Sequence, residues 1–227
     1  MATEPWKVVP LPLLEGGSIE DTLSGFPSQI GVDRRLGRRV ERAVSVVSAE
    51  IRGWHRVRNV LGTERARLLQ RQTVRRVLDA ESPFEPSEVW VEGEPSRPVF
   101  TVTFAGEQHG FHAVAAAQAM RDAAGSLLHP SMEERFGACV GVNSGTTVDT
   151  DLTRSGIGFR AGGTTWMFAA RLQELAGPGQ VLVSETTCRA VPVGLDLAPI
   201  GPVRTSPDGE ALQAYSLLGL LARTAAR

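Results

Sequence analysis

The chain has 227 residues, a hydrophobic fraction of 42% and a formal net charge of -1, the proportions of an ordinary soluble protein long enough to bury a sizeable core. The near-neutral charge argues against a polyanion-binding surface, so no nucleic-acid partner is expected. No run of 18 apolar residues occurs and the N-terminus lacks a basic segment followed by an apolar one; neither a membrane span nor a signal peptide is expected, and a cytoplasmic address follows as the default.

Residues 1–40, rich in Pro, Gly and Ser, read as an extension, partly disordered or docking. Ala43 to Ile51 reads as a strand, and Trp54 to Ala80 as an arginine-rich helix with a solvated face. Glu88 to Phe104 suggests two strands joined around "GEPSRP". His112 to Leu128 is an Ala-rich helical stretch, and Phe136 to Gly145 another alternating strand.

The next helix runs from Thr164, where Met167, Phe168, Leu172 and Leu175 keep the helical period. Thr164 or Thr165 is the expected cap, and a left-handed Gly177 followed by Pro178 the expected stop. Gln180 to Ser184 alternates as a short, partly buried strand, and "LDLAPIGPV" and "ALQAYSLL" close the sheet. The order gives an α+β domain over 41–220, a ferredoxin-like split βαβ with its helices on one face, followed by a tail over 221–227.

Candidate chemistry is sparse. The only lysine is Lys7, so every other basic residue of the 24 is arginine and lysine chemistry is closed to the domain. Cys139 and Cys188 lack metal-ligand spacing. Ser144 and Ser184 have no His or acid at a recognisable spacing, and His55, His109 and His112 read as structural or solvent-facing residues.

Three collinear stretches carry a resemblance. "GTTWMFAARLQELAGPGQVLVSE" (Gly163 to Glu185), "ACVGVNSG" (Ala138 to Gly145) and "SVVSAEIRGWHRV" (Ser45 to Val57) resemble, in order, segments of class III adenylate and guanylate cyclase catalytic domains. The resemblance implies the ferredoxin-like class III nucleotidyl cyclase fold, a central, mostly antiparallel sheet flanked by helices. It also implies head-to-tail dimers with the sites at the interface. In that family two aspartates hold divalent ions, an Asn and an Arg orient the ribose and stabilise the transition state, and a Lys with an Asp or Thr reads the base.

Position by position, the first metal aspartate falls on Glu50 and the second on Glu94, with Glu92 as its alternative. Arg171 matches the catalytic Arg, and Met167 stands where the family has Asn. The base-reading positions fall near Trp90 and on Arg160, and Gly163 belongs to a glycine pair before the helix that could approach a phosphate. Two readings follow. One is an active nucleotidyl cyclase with Mg²⁺ or Mn²⁺ on Glu50 and Glu94; the other is a weak or inactive domain serving dimerisation, nucleoside triphosphate sensing or regulation of a signalling partner, as a homodimer or a heterodimer with the regulated protein. Loss of both aspartates, the Asn and the Lys favours the second.

Overall fold

The computed structural model describes residues 40–93, 97–126, 136–149, 163–192, 194–205, 209 and 211–221. Residues 1–39 of the expected extension and 222–227 of the expected tail, together with Glu94 and Arg160, lie outside the described residues, while Val40 already belongs to the first strand.

Seven strands form one sheet in the order β2-β3-β1-β4-β5-β7-β6. β1 (Val40–Arg52) lies in its interior, antiparallel to both β3 (Val99–Ala105) and β4 (Gly137–Asp149). Val44 to Ile51 are buried without interruption, and apart from Glu50 they are small or β-branched residues on both faces. β2 (Glu88–Glu92) hairpins onto β3 at one edge, and β6 (Leu195–Arg204) pairs with β7 (Ala211–Leu220) at the other. The single parallel pairing joins β4 to β5 (Val181–Ser184), with α4 (Thr164–Leu175) between them in sequence.

Two features differ from the sequence expectation around the first helices. The arginine-rich segment is two helices, α1 (Trp54–Leu61) and α2 (Thr63–Glu81), because Gly62 at φ 77° and ψ 165° interrupts the helical path between them. The helices also lie on both faces of the sheet, not one. Val47, Ala49, Ile51, Phe100, Val102 and Phe104 pack with residues of α1, α2 and α3 (His109–Gly125), whereas Val44, Val46, Cys139 and Leu182 face α4 through Ala169, Phe168 and Leu172.

Close approach of α4 requires Gly141, where an added Cβ would collide with the Ala169 carbonyl and the Gln173 backbone nitrogen. α4 has no side-chain cap: Gly163 holds the N-cap position, and the Thr165 hydroxyl donates instead to the Thr146 carbonyl at 3.1 Å. Its end also differs from expectation. Ala176 turns extended (ψ 138°), and the positive φ falls on Gly179, at 77°, rather than on Gly177.

All four residues of β5 are buried, since strands flank it on both sides and helices cover both faces. A short helix, α5 (Glu185–Ala190), follows it and was not anticipated; the Ser184 hydroxyl caps it by accepting from the Thr187 N–H. Among the described residues, no helix is long and apolar enough to cross a membrane.

Candidate functional site

Glu50 sits near the end of β1, on the sheet face that carries α4, with 3% of its surface exposed. Its two carboxylate oxygens are saturated. Oε1 accepts from Arg97 Nε at 2.7 Å and pairs with Arg97 Nη2 at 2.5 Å; Oε2 accepts from Arg52 Nε at 2.9 Å and Gln173 Nε2 at 3.0 Å. A carboxylate offers about four lone-pair sites, and all four have donors. Burial alone would raise the Glu50 pKa, but the hydrogen bonds and charges of Arg52 and Arg97 outweigh it and hold the group below its ordinary value.

Arg52 reaches further. Its Nη1 donates to the Glu174 carbonyl at 3.2 Å and the Ala176 carbonyl at 3.1 Å, and its Nη2 to the Gln173 carbonyl at 3.2 Å. These are the orphan acceptors at the negative end of α4, so the guanidinium caps the helix and neutralises Glu50 together. β1, the residue leading into β3 and the C-terminus of α4 thereby meet on one carboxylate.

This cluster does not fit a divalent cation. An ion at Glu50 would have to displace N–H donors and sit beside two guanidinium charges. Among the described residues, no three His, Cys, Asp or Glu side chains gather as a ligand set. Glu92, in register with Val99 and through it with Glu50, lies two strands away, roughly 10 Å between backbones.

The other candidate residues are dispersed. Trp90 lies on the edge strand β2, and its indole N–H donates to Glu88 at 3.4 Å. Gly163 is the N-cap of α4, while Met167 is 52% exposed on that helix. Arg171 is also exposed, paired at 2.8 Å with Glu174 one turn along. Glu50 therefore meets α4 through Gln173 and the helix end, and not through Met167 or Arg171.

Two clusters escaped the sequence. A hydroxyl chain starts at His109 Nδ1, 2.7 Å from Ser45 Oγ, passes 2.5 Å to Ser144 Oγ and continues 3.2 Å to Thr187 Oγ1. Ser184 and Thr186 extend it to Asn143, whose amide donates to the Thr165 carbonyl at 3.0 Å. Ser45, Ser144 and Thr187 are buried and burial lowers the His109 pKa, so this chain satisfies interior hydroxyls around a neutral imidazole. Burial pushes the Cys139 thiol up to about 11, which leaves it inert at neutral pH.

The second cluster is a cleft of about 620 Å³ beside the Glu50 cluster, lined by Arg52, Arg58, Arg67, Arg97, Trp54 and His55 together with Ile51, Gly53 and small or polar residues of α2. No acid lines it among the described residues. The sequence signal was present in the arginines of residues 52–76, but spacing along one chain could not show which of them share a cleft with Arg97.

No family model and no curated protein matches the sequence. Solved structures do match the fold. The adenylyl cyclase CyaB from P. aeruginosa superposes with a TM-score of 0.62 at 15% identity, over 81% of this chain and 97% of that one. An adenylate/guanylate cyclase/hydrolase from Silicibacter pomeroyi gives 0.58 at 18% identity, over 80% and 99%. The guanylate cyclase domain of RhGC from Catenaria anguillulae, solved in complex with GTP, gives 0.58 at 14% identity, over 80% and 100%.

Proposed function

We propose that this chain, which has the α+β fold of class III adenylyl and guanylyl cyclase catalytic domains, uses it as a binding and regulatory domain and does not carry out two-metal cyclisation. The observation that carries the reading is the saturation of Glu50 by Arg52, Arg97 and Gln173. Cyclising a nucleoside triphosphate requires activation of the 3′-oxygen and neutralisation of charge at the α-phosphate, work that two divalent ions on hard oxygen ligands perform. Here the carboxylate at the first of those positions is committed to internal guanidiniums.

A nucleoside triphosphate or a cyclic nucleotide is the ligand class that the fold suggests, and a second copy or a related chain the partner. Exposed Met167 and Leu175 on α4 supply apolar surface for that partner. The test is a product assay: purified protein with each of the four triphosphates and Mg²⁺ or Mn²⁺, products separated and identified by mass. No cyclic nucleotide is expected above the background of the Glu50→Ala variant. Robust production abolished by Glu50→Ala would overturn the reading. Light scattering on the same preparation tests association.

A further inference from the structure

We infer that the arginine cleft between the β1–α1 turn and α2 is a phosphate site that works without a divalent cation. The inference rests on the reading above, that guanidiniums occupy the place of a metal at Glu50. It puts the anion contact on Arg58 and Arg67, in the cleft that Arg52 and Arg97 also line, and not on Arg171 or Gly163.

Charge comes first. Four arginines line one open cleft, and among the described residues the single carboxylate bonded to any of them, Glu50, lies outside the lining. Arg58 and Arg67 have no ion pair among the described residues, and both are exposed. A concave surface of one sign on a low-dielectric wall concentrates potential and draws in the opposite charge. Guanidinium also matches phosphate oxygens in bidentate geometry, which an ammonium cannot do.

Preorganisation comes next. Arg52 and Arg97 are already fixed by Glu50 and by the end of α4, so their charges are in place before a ligand arrives. Trp54 supplies an aromatic wall, edge-on to Phe136 at 4.7 Å, and its buried indole N–H has no partner among the described residues. Gly53, at φ 99°, starts α1 and has no side chain to cap its first turn.

Size limits the ligand. About 620 Å³ is within the range of small-molecule sites and admits a polyphosphate with or without a nucleoside attached. Cations already line the cleft, so a metal-chelated phosphate would bring redundant positive charge. The ligand class is therefore a compact polyphosphate in its metal-free form.

The experiment uses the full chain in EDTA with inorganic pyrophosphate, inorganic tripolyphosphate and ATP as probes, read by melting temperature and calorimetry. At a hundredfold excess over Kd the midpoint is expected to rise by roughly 5–10 °C. Arg58→Ala and Arg67→Ala are each expected to weaken binding about tenfold, a typical loss for one charge-assisted contact. Arg75→Ala, on α2 outside the cleft, is expected to leave binding unchanged.

Equal affinity for tripolyphosphate and ATP identifies inorganic polyphosphate as the source, and tighter binding of ATP identifies a nucleotide. Three results overturn the inference: no binding in EDTA, binding that appears only with Mg²⁺ or Mn²⁺, or binding indifferent to Arg58 and Arg67. Each is separable from failure of the proposed function, which only a cyclic product would show.

Discussion

Glu81, the last residue of α2, is 5% exposed, and its Oε2 is buried without a hydrogen-bond partner among the described residues. Burial, and then the nearby charge of Asp79, raise its pKa from 4.5 to about 7 against a smaller opposing hydrogen bond with Ser82. Folding therefore favours the neutral acid. Relative to a group that does not titrate, the contribution to stability is full below pH 4.5 and is lost as the pH rises through about 7. A shift of about 2.5 units at 1.36 kcal/mol per unit sets the size at about 3 kcal/mol. Glu81→Gln keeps the shape and removes the titration. Urea unfolding of both proteins between pH 4.5 and 8.5 should show the variant gaining on the wild type across that window, by about 3 kcal/mol at the alkaline end. Parallel curves, with the same gap at pH 5 and pH 8, would refute the claim that an ionised Glu81 strains the neutral-pH fold.

Gly141→Ala should lower stability by about 1–3 kcal/mol, seen as a reduced melting temperature, because the new methyl meets backbone atoms of α4 that cannot rotate away. Arg52→Ala should cost about 3 kcal/mol, since it removes a donor from buried Glu50 and uncaps α4 at once. Arg52→Lys should recover less than half of that loss, because an ammonium lacks the fork that reaches carboxylate and carbonyls together. An unchanged urea midpoint in Arg52→Ala would dismiss the junction as incidental.

Most of the architecture was legible because its periodicities are strong. The strands around Val46, Phe100 and Val140 and the helices beginning near Trp54 and Thr164 all fall where alternation or helical spacing placed them. The departures have local causes. Gly62 broke a helix whose apolar period runs across it, and Thr165 turned its hydroxyl to β4 rather than to its own helix. Val181 to Ser184 looked half-exposed because an alternating pattern does not report that a strand is enclosed on both faces. At the site, the resemblance located Glu50 at a strand end, but two of its partners lie 47 and 123 residues away. Only the folded chain brings Arg97 and Gln173 to it. For Arg171, Glu174 lies only three residues along the same helix, near enough in sequence to be foreseen as its partner, and the pair is present.

The fastening of α4 has a mechanical consequence. Near its start, Thr165 is tied to β4 through the Thr146 carbonyl and the Asn143 amide; at its finish, Arg52 of β1 gathers three terminal carbonyls. A twelve-residue helix held at both ends can neither slip along its axis nor roll about it unless one of those ties parts. Its outer side, with Met167 and Arg171, therefore moves as one body with the central strands. Displacement of Glu50 is transmitted to that outer side through the Arg52 guanidinium and the Gln173 amide.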